Sequence, residues 1–146
     1  MRKQCKQRGA TLVEAALTLS VFIILIMGIL EFGRASSIRH IVTNAAREGA
    51  RYSVAPFPGT ATLPDNAAVT ARVQQFLASG GISASDPNVK VVVTQNYSES
   101  INGATTTFTT VEVTVPYTFA YFPLQALTSQ GKGLTLYSKA VMRNEN

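Results

Sequence analysis

The sequence predicts an α+β protein: a long N-terminal transmembrane and stem helix, then a short helix and a small, mainly antiparallel three-stranded sheet. Three observations predict it. An apolar run lies close to the N-terminus. Apolar residues then recur at helical spacing as far as Tyr52, and three alternating, valine-rich or leucine-rich segments occupy the C-terminal part. The chain has 146 residues, of which 46% are hydrophobic and only 14% charged. A soluble domain carries about 25% charged residues, so the apolar excess is concentrated in one place.

The formal charge of +5 does not describe a nucleic-acid surface. Four of the 13 basic residues, Arg2, Lys3, Lys6 and Arg8, precede the apolar run, and no acid accompanies them. The rest of the chain holds 9 basic and 8 acidic residues, nearly neutral, with no basic stripe interleaved with aromatics. Cys5 is the single cysteine, so no internal disulfide forms.

From Ala10 to Leu30 the one charged residue is Glu14. These residues make roughly 31 Å of helix, about one bilayer core. The run is apolar on every face, which fits lipid better than the core of so small a domain. More basic residues precede the run than follow it closely, so the N-terminus is expected in the cytoplasm and the C-terminal domain in the periplasm or outside the cell. The expected organisation is a basic leader over 1–9, a single-pass transmembrane segment over 10–30, a helical stem over 31–55 and a small α+β domain over 56–146. Two other readings of the N-terminus stand beside this one: an ordinary signal peptide cut near Gly33-Arg34-Ala35, and an unprocessed signal anchor.

Glu14 is the residue that composition alone does not explain. A carboxylate inside a membrane helix costs a few kcal/mol unless it is wet or paired. If the chain is cut between Gly9 and Ala10, Glu14 becomes the fifth residue, and the cut creates an α-amine with a pKa near 8. In a bundle of staggered helices, the amine of one subunit can reach Glu14 of the next. That pair selects register, because a lone buried carboxylate is penalised more than the pair is rewarded.

A basic leader ending in Gly, four residues, a Glu and an apolar helix together resemble type IV prepilin-like proteins. Glu31-Phe32-Gly33-Arg34, followed by Ala45-Ala46-Arg47-Glu48-Gly49-Ala50-Arg51-Tyr52, resembles the TadE-like family of tight-adherence (Flp-type) pilus proteins. The resemblance covers residues 8–54, and Ala140-Val141-Met142-Arg143 is similar to that family's ending. It implies a minor pilin or pseudopilin in the inner membrane, with Gly9 and Ala10 as the cleavage site and Glu14 as the assembly and register residue. The implied partners are a prepilin peptidase, other pilins or pseudopilins, the pilus export platform and membrane lipid.

Beyond Leu30 the stripe Phe32, Ala35, Ile38, Ile41 or Val42, Ala45, Gly49 and Tyr52 predicts that one helix continues to about Val54, ended by Pro56 and Pro58. Small residues at 45, 46, 49 and 50 are expected to receive a sheet or short helix of the same chain. Glu31–Arg34 and Glu48–Arg51 are spaced as i,i+3 ion pairs. Asp65 caps a second helix over about 66–78, with Val69, Val73, Phe76 and Leu77 on its inner face, and Ser79-Gly80-Gly81 stops it. Val89, Val91 and Val93 begin the sheet, Thr107 to Phe119 continue it with Val111, Val113, Val115, Tyr117 and Phe119 on one face, and Leu134, Leu136, Ala140 and Met142 mark the third strand. The segment from Ala120 to Gly133 is the long crossing between the last two strands. Asn102-Gly103 signals a hairpin. A strict two-residue turn would set Val93 opposite Glu112. A shift of one residue sets Val93 opposite Val113 and Val91 opposite Val115, so an odd-length loop or a bulge is expected near Asn102–Ala104.

No catalytic grouping emerges, and the chain is expected not to be an enzyme. His40 lies on the stem with no second metal-ligand type at helical spacing, so no metal and no cofactor is expected. Besides the minor pilin, two readings remain: the major filament subunit, and a membrane-anchored extracytoplasmic binding module carrying a type IV-like signal.

Overall fold

A computed structural model describes residues 3–57, 59, 62–83, 85–101, 104–120 and 134–144. The element order is α1 (Lys3–Ser53), α2 (Asn66–Ser79), β1 (Lys90–Ile101), β2 (Ala104–Tyr117) and β3 (Leu134–Arg143). This is the expected α+β arrangement. The crossing over 121–133 and the turn residues 102–103 lie outside the described residues. The chain divides into two compact units, one holding α1 up to Ala35 together with Phe119 and Ala120, the other holding Ser36 to Thr118 and β3.

Two ends of α1 are informative. Among the described residues the helix already runs at Lys3, well before Ala10, so the backbone around Gly9 is helical. Lys, Gln and Arg are good helix formers, and one Gly costs only about 1 kcal/mol. At the other end α1 stops at Ser53, whose Oγ donates to the Ala50 carbonyl at 2.7 Å, three residues before Pro56.

In the second unit, α1 buries Val42, Ala45, Ala46 and Ala50, with Ile38, Ile41 and Tyr52 packed beside them. The stripe therefore begins at Ile38. Phe32, expected to be part of it, is 77% exposed. The small residues do receive elements of the same chain: the nearest neighbours of the Gly49 α-carbon face are Val73 of α2 and Val111 of β2.

Both ends of α2 are built locally. The Asp65 carboxylate accepts from the Ala68 N–H at 2.8 Å. Gly81 takes φ +80°, while the Gly81 N–H donates to the Ala78 carbonyl and the Ile82 N–H to the Leu77 carbonyl, both at 3.0 Å. That crossed pair of bonds needs a left-handed residue at position 81, which Gly supplies without strain. Val69, Val73 and Leu77 are fully buried, and Phe76 packs against them.

The sheet is antiparallel in the order β1-β2-β3. Val111, Val113, Val115 and Tyr117 of β2 are buried, and Val91, Val93 and Ala140 flank them from the neighbouring strands. Pro116 pairs with Thr135 of β3 but lies past the end of β1, which begins at Lys90 opposite Thr114; its missing N–H is tolerated in that overhang.

The hairpin register corrects the sequence expectation. Valine does face valine, but Val93 pairs with Val111 and Val91 with Val113. The shift lies between Thr94 and Tyr97, not near Asn102–Ala104. Gln95 and Asn96 together oppose Thr109. Asn96 has φ 58°, a left-handed value that Asn tolerates better than most residues. Its Oδ1 accepts from Asn144 Nδ2 at 3.2 Å, and Asn144 Oδ1 accepts from the buried Thr109 hydroxyl at 3.0 Å. Gln95 Nε2 donates to the Pro64 carbonyl at 2.8 Å, tying the bulge to the loop ahead of α2.

Candidate assembly segment

The segment that the sequence singles out is the first part of α1. Gly9, Ala10 and every residue from Thr11 to Ile26 are exposed. The exposed side chains include Leu12 at 72%, Leu17 at 65% and Phe22 at 57%. Hydrophobic burial contributes about 25 cal/mol per Å², so this surface must be covered by lipid or by other helices. One helix among the described residues is long and apolar enough to cross a membrane, and this is it. Polar side chains inside the run satisfy themselves on the helix: Thr18 Oγ1 donates to the Glu14 carbonyl at 2.9 Å and Ser20 Oγ to the Ala16 carbonyl at 2.8 Å.

Glu14 stands on the same face as Thr11, Thr18 and Phe22 and is exposed. Among the described residues the ion pairs engage Glu31, Glu48 and Glu112, and Glu14 is in none of them. Its carboxylate is thus presented outward from the helix. Gly9 and Ala10 share that exposure, and a side chain at Gly9 would meet nothing within 4 Å.

One acid at the end of the apolar run behaves differently, and helical spacing alone did not reveal it. Glu31 pairs with Arg34 at 3.5 Å, as the i,i+3 spacing predicts, but it is also buried, with 6% exposure. Both of its oxygens accept from the Ala120 N–H, at 3.3 and 3.2 Å. A buried carboxylate is kept only where charge or donors compensate its lost hydration, and here an arginine and a backbone N–H do so. Glu31 therefore fixes the chain just after β2 against the helix one residue past Leu30.

A second cluster fastens α2 to the stem. Glu48 accepts from Arg51 Nε at 3.1 Å and from Arg72 Nη2 at 3.0 Å. Arg72 also lies 6.0 Å from the Tyr52 ring centroid, and Tyr52 meets Phe57 edge-on. The hydrogen bonds from Arg51, then those from Arg72, hold the Glu48 carboxyl below its ordinary range. A lowered folded value means stability that is present above the ordinary carboxylate range and is lost as pH falls through the lowered one. Both arginines are largely wet, so the contribution is about 0.5–1 kcal/mol. Thermal unfolding of the full chain is expected to lose a few degrees on acidification through that window, and Glu48→Gln is expected to flatten the loss. Identical acid slopes for the two proteins would remove Glu48 from the acid response.

His40 and Arg39 are exposed on the stem. Among the described residues no three His, Cys, Asp or Glu side chains are grouped so as to hold a metal.

Residues 9–51 match the family model described as TadE-like protein. The match takes in Gly9, Ala10, Glu14, Glu31 and Glu48, and stops two residues short of the end of α1. The Ala140–Arg143 ending falls outside it and forms the last turn of pleat in β3. No curated protein and no solved structure matches the chain.

Proposed function

With a TadE-like segment over residues 9–51 as the premise, we propose that the chain is a membrane-anchored minor pilin or pseudopilin of a tight-adherence pilus. It is a structural component and not an enzyme. The observation that carries this reading is the exposed Glu14 inside the otherwise uncharged apolar run from Ala10 to Leu30, five residues after Gly9.

A prepilin peptidase cuts between Gly9 and Ala10. That bond lies within helical backbone, and a helical bond must unwind before a protease can seat it. Gly9 is the weakest helix former in its neighbourhood, at roughly 1 kcal/mol relative to Ala, so local opening is easiest there. Cleavage leaves the α-amine of Ala10 and the carboxylate of Glu14 at the same end of the apolar helix. Each is then available to a neighbouring subunit, and the export platform and sibling pilins supply those neighbours. The anchor sits in the inner membrane with its N-terminus in the cytoplasm, and the α+β domain lies on the far side.

The sheet-bearing domain favours a minor component, because a major Flp-type subunit resembles a bare helix with little after it. The reading as a membrane-anchored binding module differs in one outcome. A pilin copurifies with sheared filaments and loses that association when Glu14 is replaced, whereas a binding module remains in the membrane whatever occupies position 14.

A further inference from the structure

The excursion between β2 and β3 is far longer than the sheet needs. Tyr117, the last residue of β2, pairs with Leu134, the first of β3. A hairpin closes such a gap with about two to five residues. Here 16 residues, 118–133, intervene. Excursions of this length are uncommon unless they carry a task. Early in this one, the Ala120 N–H donates to both oxygens of Glu31, at 3.3 and 3.2 Å. Glu31 stands one residue past the apolar run from Ala10 to Leu30. The chain carries no charge from Val113 to Gly131, and between Phe119 and Leu127 every residue but Gln125 is aromatic, aliphatic or proline.

Exposure along α1 marks where that apolar stretch fits. From Gly9 to Gly33 every residue is exposed except Met27, which is half-buried, and Glu31, which is buried. The two lie four residues apart and share one face of the helix. The cover over α1 therefore reaches about 6 Å back from Glu31 into the apolar run. Lipid would cover a lone helix alike on every side, whereas the cover at Met27 and Glu31 is one-sided. Ala120 is small and itself exposed, so it does not shield both. The residues next in line are Tyr121 and Phe122.

We propose that residues 121–127 of the same chain dock on the Met27–Glu31 face of α1, as an aromatic collar at the C-terminal end of the apolar run. With residues 10–30 spanning a bilayer, this is the level at which hydrocarbon gives way to headgroups. Amphipathic aromatic rings such as Tyr121 concentrate there. The headgroup layer also satisfies backbone N–H and C=O groups, which hydrocarbon does not. The collar in turn shields the Glu31 carboxylate, whose loss of hydration is offset by Arg34 at 3.5 Å and by the Ala120 N–H. The docking rests on α1 being a membrane anchor. It needs neither cleavage at Gly9 nor pilus assembly, so it stands or falls separately from the pilin reading.

Fluorescence quenching in the full chain, reconstituted in phospholipid vesicles, tests it. The chain has no tryptophan, so Phe122→Trp in a Cys5→Ser background supplies a single emitter. A nitroxide is attached at Met27→Cys, or at Ile29→Cys on the far side of the helix, and the labelled chain is diluted into excess wild-type chain. The label at position 27 is expected to quench roughly threefold more than the label at 29, because about 10 Å of helix separates them. Leu124→Trp should show the same preference, which keeps the test decisive if one tryptophan disturbs folding. Adding Glu31→Ala should abolish the preference, and a preference that survives would overturn Glu31 as the tie. The docking itself is overturned if both tryptophans are quenched equally from positions 27 and 29. It is overturned too if brominated acyl chains or aqueous acrylamide quench them while the label at 27 does not. A preference that vanishes on dilution would place the segment on a neighbouring chain and equally overturn it.

Discussion

Glu14→Ala is expected to leave the chain inserted in the membrane and to remove it from assembled filaments. Insertion depends on the apolar run from Ala10 to Leu30, and losing a carboxylate makes that run more apolar. In the proposed assembly, Glu14 forms a buried pair with the α-amine of a neighbouring Ala10. Deleting one member of such a pair leaves the other charge uncompensated, at roughly 3–5 kcal/mol. Each 1.4 kcal/mol is about tenfold, so incorporation should fall by more than about a hundredfold. The measurement is the ratio of filament-associated to membrane-associated chain, compared with wild type. Glu14→Gln should fail nearly as badly, because an amide keeps the shape and loses the charge. Normal incorporation of either variant would remove the register role of Glu14.

Gly49→Val is expected to be strongly destabilising in the α+β unit. Gly49 lies within α1, where Ala would ordinarily gain about 1 kcal/mol of helix stability. Here the gain is outweighed. A β-carbon at position 49 would run into Val73 and approach Val111 Cγ1 to 3.3 Å, and both valines are fully buried. Valine has one stiff rotor and cannot fold out of the way. Overpacking of this kind costs about 1–3 kcal/mol, so Gly49→Ala should be mildly destabilising and Gly49→Val strongly so. For a unit of this size, about 2 kcal/mol lowers the melting temperature by roughly 10 °C. A wild-type melting temperature for Gly49→Val in the full detergent-solubilised chain would mean that α2 and β2 do not approach the stem as closely as the packing requires.

The contrast between what the sequence disclosed and what it hid follows the distance over which each feature is decided. The cap at Asp65 and the stop at Gly80-Gly81 are settled within four residues, and both were legible. The stripe from Ile38 to Tyr52 was legible because helical periodicity reports which face is apolar. Periodicity does not report where the covering elements end, and so the spacing places Phe32 in the stripe although it is exposed. The alternation of valines required some register shift, but the position of the bulge was set by Asn144, 48 residues away. The burial of Glu31 depended on a backbone N–H 89 residues away. For the assembly segment, Gly9, Ala10 and Glu14 were visible from residue type and spacing, while the helical state of the leader was not, because no capping residue marks its start. Only the absence of a strong breaker between Lys3 and Ala10 lets α1 run back through Gly9.

The proposed assembly requires a mature chain that begins with a free amine close to Glu14 in the apolar run. Intact mass spectrometry of the protein extracted from membranes of cells that contain the peptidase reads this directly. The expected result is a chain beginning at Ala10, short by the nine residues Met1 to Gly9, and a full-length chain when the peptidase is absent. A mass that retains Met1 to Gly9 in the presence of the peptidase, or that begins near Ala35, would contradict it.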